Sequence, residues 1–390
     1  MFSMLLLSII YIAFISLGLP DSLLGVSWPV MRHDFGAGIG TAGWVFMTIA
    51  GGTIVSSLLS GRVLSRFETG RVTFFCSLLT AGALLGYYFA PSLTWLFLLA
   101  IPLGLGGGAV DAALNHYVST HFKAHHMNWL HCFWGIGATL GPLVMAAVLS
   151  ATNDWRNGYL AVAIIQLALA LLLFATLPLW KKQDVASASE AQVAQPDSQV
   201  NGHKPKGLSF ALSAFFLYCG AEALIGLWGS SYLVQTKQFS VETAATWVSV
   251  YYASITVGRF VSGFISFKVS NRLMIRYGQL TALLGSVLLF LPSSPAALIG
   301  FILIGLGLAP IYPSMLHETP ARFGHGYAKH IMGYQMAFAY TGSTFLPPLF
   351  GWAASASTLA LLPYATFLIL AVLLLSSERL NHLLKNIRVY

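Results

Sequence analysis

A polar stretch near the middle of the chain, residues 181–206, reads KKQDVASASEAQVAQPDSQVNGHKPK. It is rich in Ser, Ala and Gln and contains no apolar stripe long enough to cross a bilayer. Six long apolar runs precede it and six follow it. The stretch therefore predicts a linker between two six-helix halves, residues 1–180 and residues 207–390.

The flanking runs have the length and composition of membrane-spanning helices. Hydrophobic residues make up 57% of the 390-residue chain and charged residues only 8%, which is more apolar surface than a water-soluble fold can bury. One span needs about 20 mostly apolar residues. We therefore predict an all-α membrane protein with twelve transmembrane helices. The expected spans cover about 4–30, 38–60, 72–90, 94–118, 129–150, 157–179, 208–234, 243–266, 273–291, 296–317, 328–350 and 356–377.

Lysines and arginines indicate the orientation of these spans. If the N-terminus is cytoplasmic, the loops and ends on that side carry most of the basic residues, and the outer side keeps Arg32, Arg156 and Lys237. An excess of Lys and Arg in cytoplasmic loops is the rule for multi-pass proteins. We therefore expect a protein of the cell inner membrane with both termini and the linker in the cytoplasm.

Several classes of function are excluded by what the sequence contains. The net charge of +8 is spread over short loops, so it does not predict nucleic-acid binding. Cys76, Cys132 and Cys219 lie far apart and have no metal-ligand spacing. The sequence has no Walker motif for ATP binding and no nucleophile–base pair within the spans, so we expect no enzyme and no metal. The expected partners are the bilayer and a small-molecule solute, bound by a monomer, with a proton as the coupling ion and no other cofactor.

The two halves repeat one another in sequence, which predicts two pseudo-symmetric bundles. Four matches occur in the same order in both halves. Each match joins residues that lie 201 to 205 positions apart in the chain. Asp21-Ser-Leu-Leu-Gly25 matches Glu222-Ala-Leu-Ile-Gly226, and Trp44 and Thr53 match Trp247 and Thr256. Gly104-Leu-Gly106 matches Gly305-Leu-Gly307, and Gly137-Ala-Thr-Leu-Gly-Pro142 matches Gly342-Ser-Thr-Phe-Leu-Pro347. Parallel repeats of this kind are typical of transporters that bind substrate near the middle of the membrane.

The loop after the second run is similar to a family motif. Gly61-Arg-Val-Leu-Ser65-Arg66-Phe-Glu-Thr-Gly70-Arg71 resembles the Gly-x-x-x-Asp-Arg-x-Gly-Arg loop of the major facilitator superfamily, although Ser65 replaces the acidic residue and the spacing to Gly70 is longer. The resemblance extends over the whole chain. It implies the two-bundle fold and a gating role for Arg66 and Arg71.

Within that superfamily the chain resembles the fucose permease-like branch of proton-coupled hexose symporters. The matching segments are Asp21-Ser-Leu-Leu, Asp111-Ala-Ala-Leu-Asn115-His-Tyr117, Asn128-Trp-Leu-His131-Cys-Phe-Trp134-Gly-Ile-Gly-Ala, Tyr218-Cys-Gly-Ala-Glu222 and Gly305-Leu-Gly-Leu-Ala-Pro310-Ile-Tyr-Pro313. In the fucose symporter, acidic residues at the places of Asp21 and Asp111 serve protonation and sugar recognition. This chain departs from that pattern, because Asp111 replaces a glutamate and His131 and Trp134 replace polar residues.

Three of the twelve acidic residues lie inside apolar runs: Asp21, Asp111 and Glu222. An ionised carboxylate in the middle of a membrane costs at least about 2.5 kcal/mol. Such a group faces water, binds a cation or carries a proton, and a carboxyl group in apolar surroundings can exchange protons near neutral pH. We predict proton coupling at these three residues. The alternative is a carboxyl group that only links helices by hydrogen bonds.

Polar and aromatic side chains near these carboxyl groups are candidates for substrate binding. Asp111 and Asn115 are four residues apart and share one helix face. The complete predicted set is Asp111, Asn115, His131, Trp134, Tyr218, Glu222, Trp228 and Gln335. Hydrogen bonds between helices and ordinary aromatic packing are the alternatives for its members.

Arg259 is the basic residue that lies well inside a run, and two interpretations are open for it. Its side chain could extend to the cytoplasmic surface, or it could form a charge pair that acts in gating.

Together these features predict secondary active transport of a small polar solute, a sugar or sugar-like metabolite, by proton symport with alternating access. Trp134 and Trp228, which we expect to line the central cavity, are equally compatible with proton-driven efflux of an amphipathic compound. A membrane-embedded sensor or enzyme is the remaining alternative, but no signalling domain accompanies the spans.

The orientation gives a first test. A single cysteine at position 195, introduced as Gln195→Cys after replacement of the three natural cysteines, is expected to resist a membrane-impermeant thiol reagent in intact cells. It should react once the cells are permeabilised. Labelling from outside in intact cells would show that the linker is extracellular and that the orientation is reversed.

Overall fold

The computed structural model describes residues 2–122, 124–188 and 205–385, and these are helical apart from short connections. The helices before the central linker are α1 (Phe2–Asp21), α2 (Leu23–Asp34), α3 (Thr41–Leu64), α4 (Thr69–Tyr88), α5 (Leu93–His121), α6 (Ala124–Thr152) and α7 (Trp155–Ala188). Those after it are α8 (Leu208–Lys237), α9 (Val241–Ile265), α10 (Asn271–Leu288), α11 (Ser294–Leu308), α12 (Ile311–His317), α13 (Thr319–Phe323), α14 (His325–Ala356) and α15 (Leu362–Lys385). The all-α class is confirmed.

Each of the twelve predicted spans is occupied by helix. Within the described ranges, ten helical stretches are long and apolar enough to cross a membrane. Helices α10 and α14 are not among these ten, and α10 carries Arg272 and Arg276 in its first turns. Both helices nevertheless occupy predicted spans, and both pack against helices that are among the ten.

Two predicted spans are interrupted, and a proline lies at each interruption. The first span divides at Ser22 into α1 and α2, two residues after Pro20. The tenth divides at Ala309 and Pro310 into α11 and α12. Proline lacks a backbone N–H and its ring clashes with the preceding turn, so it ends or kinks a helix. Pro20 and Pro310 therefore account for the two breaks.

Helix α7 extends into the first part of the predicted linker. Helix α7 continues to Ala188, eight residues into the stretch 181–206, because KKQDVASA consists largely of residues that tolerate a helix well. The remainder, residues 189–204, lies outside the described part of the chain.

The chain divides into two compact units. Helices α1 to α7 group with the short stretch Ser240–Ser249 in the first unit, and α8, the rest of α9 and α10 to α15 form the second. The predicted boundary between the halves lies largely within residues 189–204 and stays a prediction.

The sequence repeat reappears as a repeated helix crossing inside each unit. In the first unit α1 crosses α6 so closely that a Cβ atom on Gly137 would lie 1.9 Å from the main-chain oxygen of Ile15. In the second unit α8 crosses α14 in the same way, and a Cβ atom on Gly342 would lie 1.9 Å from the main-chain oxygen of Phe216. Small residues permit such close approach of membrane helices. The two units therefore share the same close helix contact at Gly137 and Gly342, two positions that match in the sequence repeat.

These crossings predict a sharp difference between glycines. Gly137→Ala and Gly342→Ala should each destabilise the protein by about 1–3 kcal/mol, because the added methyl group meets a main-chain oxygen that cannot rotate away. Thermal unfolding of the purified protein in detergent measures the effect.

Gly82→Ala in α4 is the matched control, since a Cβ atom there meets no atom within 4 Å. It should leave stability unchanged or raise it by less than about 1 kcal/mol. Equal unfolding midpoints for all three variants would contradict the crossing geometry.

Candidate functional site

Asp21 is the last residue of α1 and is exposed in this structure, at the break before α2. Its Oδ2 atom accepts a hydrogen bond of 2.8 Å from Nε1 of Trp134 in α6. Within the described part of the chain Asp21 forms no ion pair. The carboxyl group is therefore held by a neutral donor.

The break beside Asp21 is stabilised by a side chain of α7. Pro20 cannot donate to the main-chain oxygen of Ser16, four residues earlier. Gln166, which is 3% exposed, donates to that oxygen through Nε2 at 2.6 Å. Ser22 also bridges from the break to α6, where its hydroxyl donates to the main-chain oxygen of Ala138 at 3.1 Å. These bonds satisfy polar groups that lipid cannot solvate.

Asp111 and Asn115 form a polar pair on α5, as their spacing predicted. Nδ2 of Asn115 donates to both the Oδ1 atom and the main-chain oxygen of Asp111, each at 2.9 Å. Asp111 also lies close enough to Asp21 for the two carboxyl groups to interact electrostatically. His131 of α6 is exposed, and its ring meets that of Phe14 edge to face at 6.0 Å. The first unit thus brings together two carboxyl groups, an amide and an indole.

The second unit contains a charge pair at the matching place. Nη2 of Arg259 in α9 lies 3.2 Å from Oε2 of Glu222 in α8, and the two side chains are only 16% and 14% exposed. The Tyr218 hydroxyl donates to Oε2 of Glu222 at 2.5 Å. Arg259 also donates to that hydroxyl at 3.2 Å. Of the two interpretations of Arg259, extension to the surface is wrong, because the guanidinium group is held inside the unit.

Asp21 and Glu222 are equivalent in the repeat but differ in charge environment. A neutral indole donates to the first, and a guanidinium group neutralises the second. The two carboxyl groups are therefore suited to different tasks.

Three predicted substrate-binding residues are buried within the second unit: Tyr218, which contacts Glu222 and Arg259, and also Trp228 and Gln335. The Trp228 ring is 0% exposed and its Nε1 donates to the main-chain oxygen of Pro347 at 2.8 Å. Gln335 is 2% exposed and its Oε1 accepts from the Thr319 hydroxyl at 2.9 Å. Trp228 fills the α8–α14 crossing beside Gly351, so the prediction that its ring lines a cavity is corrected to packing. For Gln335 the structure shows the hydrogen bond between helices that was the alternative.

The loop arginines lie apart from both clusters. Arg66 and Arg71 are exposed, and Nε of Arg71, in the first turn of α4, lies 3.3 Å from Oε2 of Glu68 at the start of that helix. Their gating role stays a prediction. Across the described ranges no group of three or more His, Cys, Asp or Glu residues is placed to hold a metal ion.

Two residues of these clusters were missed by sequence analysis. Gln166 lies in an otherwise apolar run, so its polarity was the available signal. Tyr251 donates its hydroxyl to the main-chain oxygen of Glu222 at 3.2 Å. A tyrosine among apolar residues gives no comparable signal, because its ring packs equally well in a core.

Comparison with known proteins assigns the family. The family model described as Major Facilitator Superfamily matches residues 10–347. The chain belongs to the Major Facilitator Superfamily, whose fold is two domains with twelve helices in total. It is a multi-pass membrane transporter of a small-molecule solute and not an enzyme.

The relatives include a sugar transporter. The chain is 26% identical over 292 residues to the glucose/mannose transporter GlcP of Bacillus subtilis (strain 168), over 72% of this chain and 70% of that protein. It is 21% identical over 344 residues to the membrane protein MosC of Rhizobium meliloti, over 87% and 81% of the two chains. The crystal structure of a D-xylose-proton symporter matches with a TM-score of 0.74 at 13% identity, covering 97% of each chain. That last similarity shows the fold.

The charge pair in the second unit can be tested by a double-mutant cycle. Glu222→Gln or Arg259→Gln alone should destabilise the protein by about 3 kcal/mol, because each leaves a partly buried charge without its partner. The double variant should be more stable than the sum of the single effects predicts. Thermal unfolding in detergent measures all four proteins, and strictly additive effects would show that the pair contributes no interaction energy.

Proposed function

We propose that this protein moves a sugar or sugar-like solute across the inner membrane by proton symport, through alternating access. The observation that carries the proposal is the environment of Asp21. Its carboxyl group lies at a helix break, accepts from a neutral indole and interacts with a second carboxyl group, Asp111.

A proton is the simplest partner for Asp21 in a state closed to water. The first span contains no lysine or arginine that could neutralise the carboxylate there. A bound proton removes the cost of an ionised group in apolar surroundings. The ionised form favours a state open to water, and this difference in affinity allows a proton to shift a conformational equilibrium. Glu222 is less suited to carry the proton, because Arg259 already balances its charge.

The polar pair on α5 supports a solute with several hydroxyl groups. Asp111 and Asn115 present carboxylate and amide oxygens and amide N–H groups, which can accept from and donate to neighbouring hydroxyls. The indole of Trp134, which contacts Asp21, offers an apolar face for the C–H side of a sugar ring. The glucose/mannose transporter among the relatives points to the same class of solute.

The orientation that we propose has both termini in the cytoplasm. Most basic loop residues then lie on the cytoplasmic side, as is usual for multi-pass proteins. Because protons flow into the cell down their gradient, symport with protons would carry the solute inward.

Asp21→Asn separates coupling from binding. Purified protein in proteoliposomes should accumulate a labelled hexose, with glucose and mannose tried first, when the lumen is made alkaline. The asparagine side chain keeps the acceptor for Trp134 but cannot exchange a proton, so Asp21→Asn should abolish accumulation and retain solute exchange at zero gradient. Glu242→Gln at the start of α9 removes a carboxylate outside both clusters and is the matched control.

Trp134→Phe adds a second readout, because it keeps an aromatic ring and removes the N–H donor. It should alter the pH dependence of uptake without abolishing accumulation. Gradient-driven, pH-dependent uptake by Asp21→Asn at the wild-type rate would refute the coupling role. Export of the solute under the same gradient would refute symport.

A further inference from the structure

A second feature of the chain lies away from both carboxyl clusters. A cavity of about 410 Å³ opens at one end of the second unit, and we call it the cationic pocket. Its polar wall carries Lys206, Arg272 and Arg322, and its apolar wall includes Pro205, Phe323 and Leu384. Cavities of this volume are typical of small-molecule sites.

The two arginines are held in place by one carboxylate. Oε2 of Glu318 lies 3.4 Å from Nε of Arg272 and 3.5 Å from Nε of Arg322. Nη2 of Arg322 also donates to Oδ1 of Asn381 in α15 at 3.2 Å. The guanidinium groups are thus positioned by α10, α13 and α15 together, before any ligand arrives.

The burial of these side chains differs from that of ordinary loop cations. Arg322 is only 6% exposed and Arg272 is 33% exposed, whereas Lys206 is exposed. Lysines and arginines that only set membrane orientation remain solvated. A buried guanidinium group is costly unless negative charge is nearby. Among the described residues, the Glu318 carboxylate contacts two of the three cationic side chains, Arg272 and Arg322, so these residues together keep an excess of positive charge.

We propose that the cationic pocket binds a phosphate group that is attached to an organic body. Phosphate oxygens accept charge-assisted hydrogen bonds from guanidinium groups, and a lysine adds a point charge. Arg272 and Lys206 are accessible enough to donate to such oxygens, and the buried Arg322 adds positive potential behind them. The apolar wall formed by Phe323 and Leu384 contacts the organic body.

Two sources of this chemistry exist: the headgroup of an anionic phospholipid and a soluble phosphate ester. In the orientation proposed above, the cationic pocket lies at the cytoplasmic surface. Anionic lipids are concentrated in that leaflet, and basic pockets between membrane helices bind their headgroups. Occupancy would tie α10, α13 and α15 together at that end of the unit.

Ligand-dependent thermal stability of the full-length protein in detergent tests the proposal. Short-chain phosphatidylglycerol should raise the unfolding midpoint above the value in short-chain phosphatidylcholine. Glycerol 3-phosphate is tested in parallel as the soluble phosphate ester. Stabilisation by phosphatidylglycerol alone identifies a lipid site, and stabilisation by glycerol 3-phosphate identifies a site for a soluble ester.

Lys206→Gln combined with Arg272→Gln should weaken binding of the stabilising ligand by at least about tenfold, because two charge-assisted contacts to the phosphate are lost. Lys206→Gln alone is the second variant, because this exposed side chain can be changed without breaking the Glu318 contacts. It should weaken binding without lowering the unfolding midpoint of the ligand-free protein.

Arg62→Gln combined with Arg379→Gln removes two exposed cations elsewhere and should leave the ligand effect intact. The proposal fails if neither phosphate compound stabilises the wild type. It also fails if the pocket variants and this control respond to the ligand equally.

Discussion

A bilayer offers no water to backbone polar groups, so every interruption of a spanning helix needs a partner from within the protein. The site in the first unit depends on how this constraint is met at Pro20. The oxygen that the proline leaves without its usual donor belongs to Ser16, and the buried amide of Gln166 donates to it. Because that bond satisfies the break, α1 can end at Asp21, and the carboxyl group lies exposed at the end of the helix. The chemistry of Asp21 therefore rests on a side chain of α7.

The two units share a backbone plan and differ in charge. The same close crossing of the first and fifth spans occurs in each, and an acidic residue occupies the same place relative to it. In the first unit the acid accepts from Trp134, and in the second it is neutralised by Arg259. A repeat that has diverged in this way can assign proton exchange to one half and a fixed electrostatic contact to the other. The difference lies in two side chains, while the helices that carry them are arranged alike.

The sequence predicted the fold well because its signals are local. Apolar run length gives the spans, and the cost of an acid inside a run singles out Asp21, Asp111 and Glu222. The Asp111–Asn115 pair followed from helical spacing. Contacts between residues distant in sequence were harder to predict, since Glu222 and Arg259 are brought together only by the packing of α8 on α9. Trp228 was misassigned for the same reason: a tryptophan in an apolar run does not reveal whether its ring faces a cavity or another helix. Gln166 was overlooked because its partner is a main-chain oxygen, which leaves no pattern in the sequence.

The glycine crossings also bear on how far such a chain can diverge. At Gly137 and Gly342 the contact is with a main-chain oxygen, so the side chains of Ile15 and Phe216 opposite them are not specified. One glycine on one helix can thus maintain the crossing geometry of two helices, while the side chains of the facing helix are replaced. Evolution could therefore erase most of the identity between the halves, and between this chain and distant members of its fold, without moving the helices. Gly137 and Gly342 are among the residues that the faint internal repeat retains, and both stand where a methyl group does not fit.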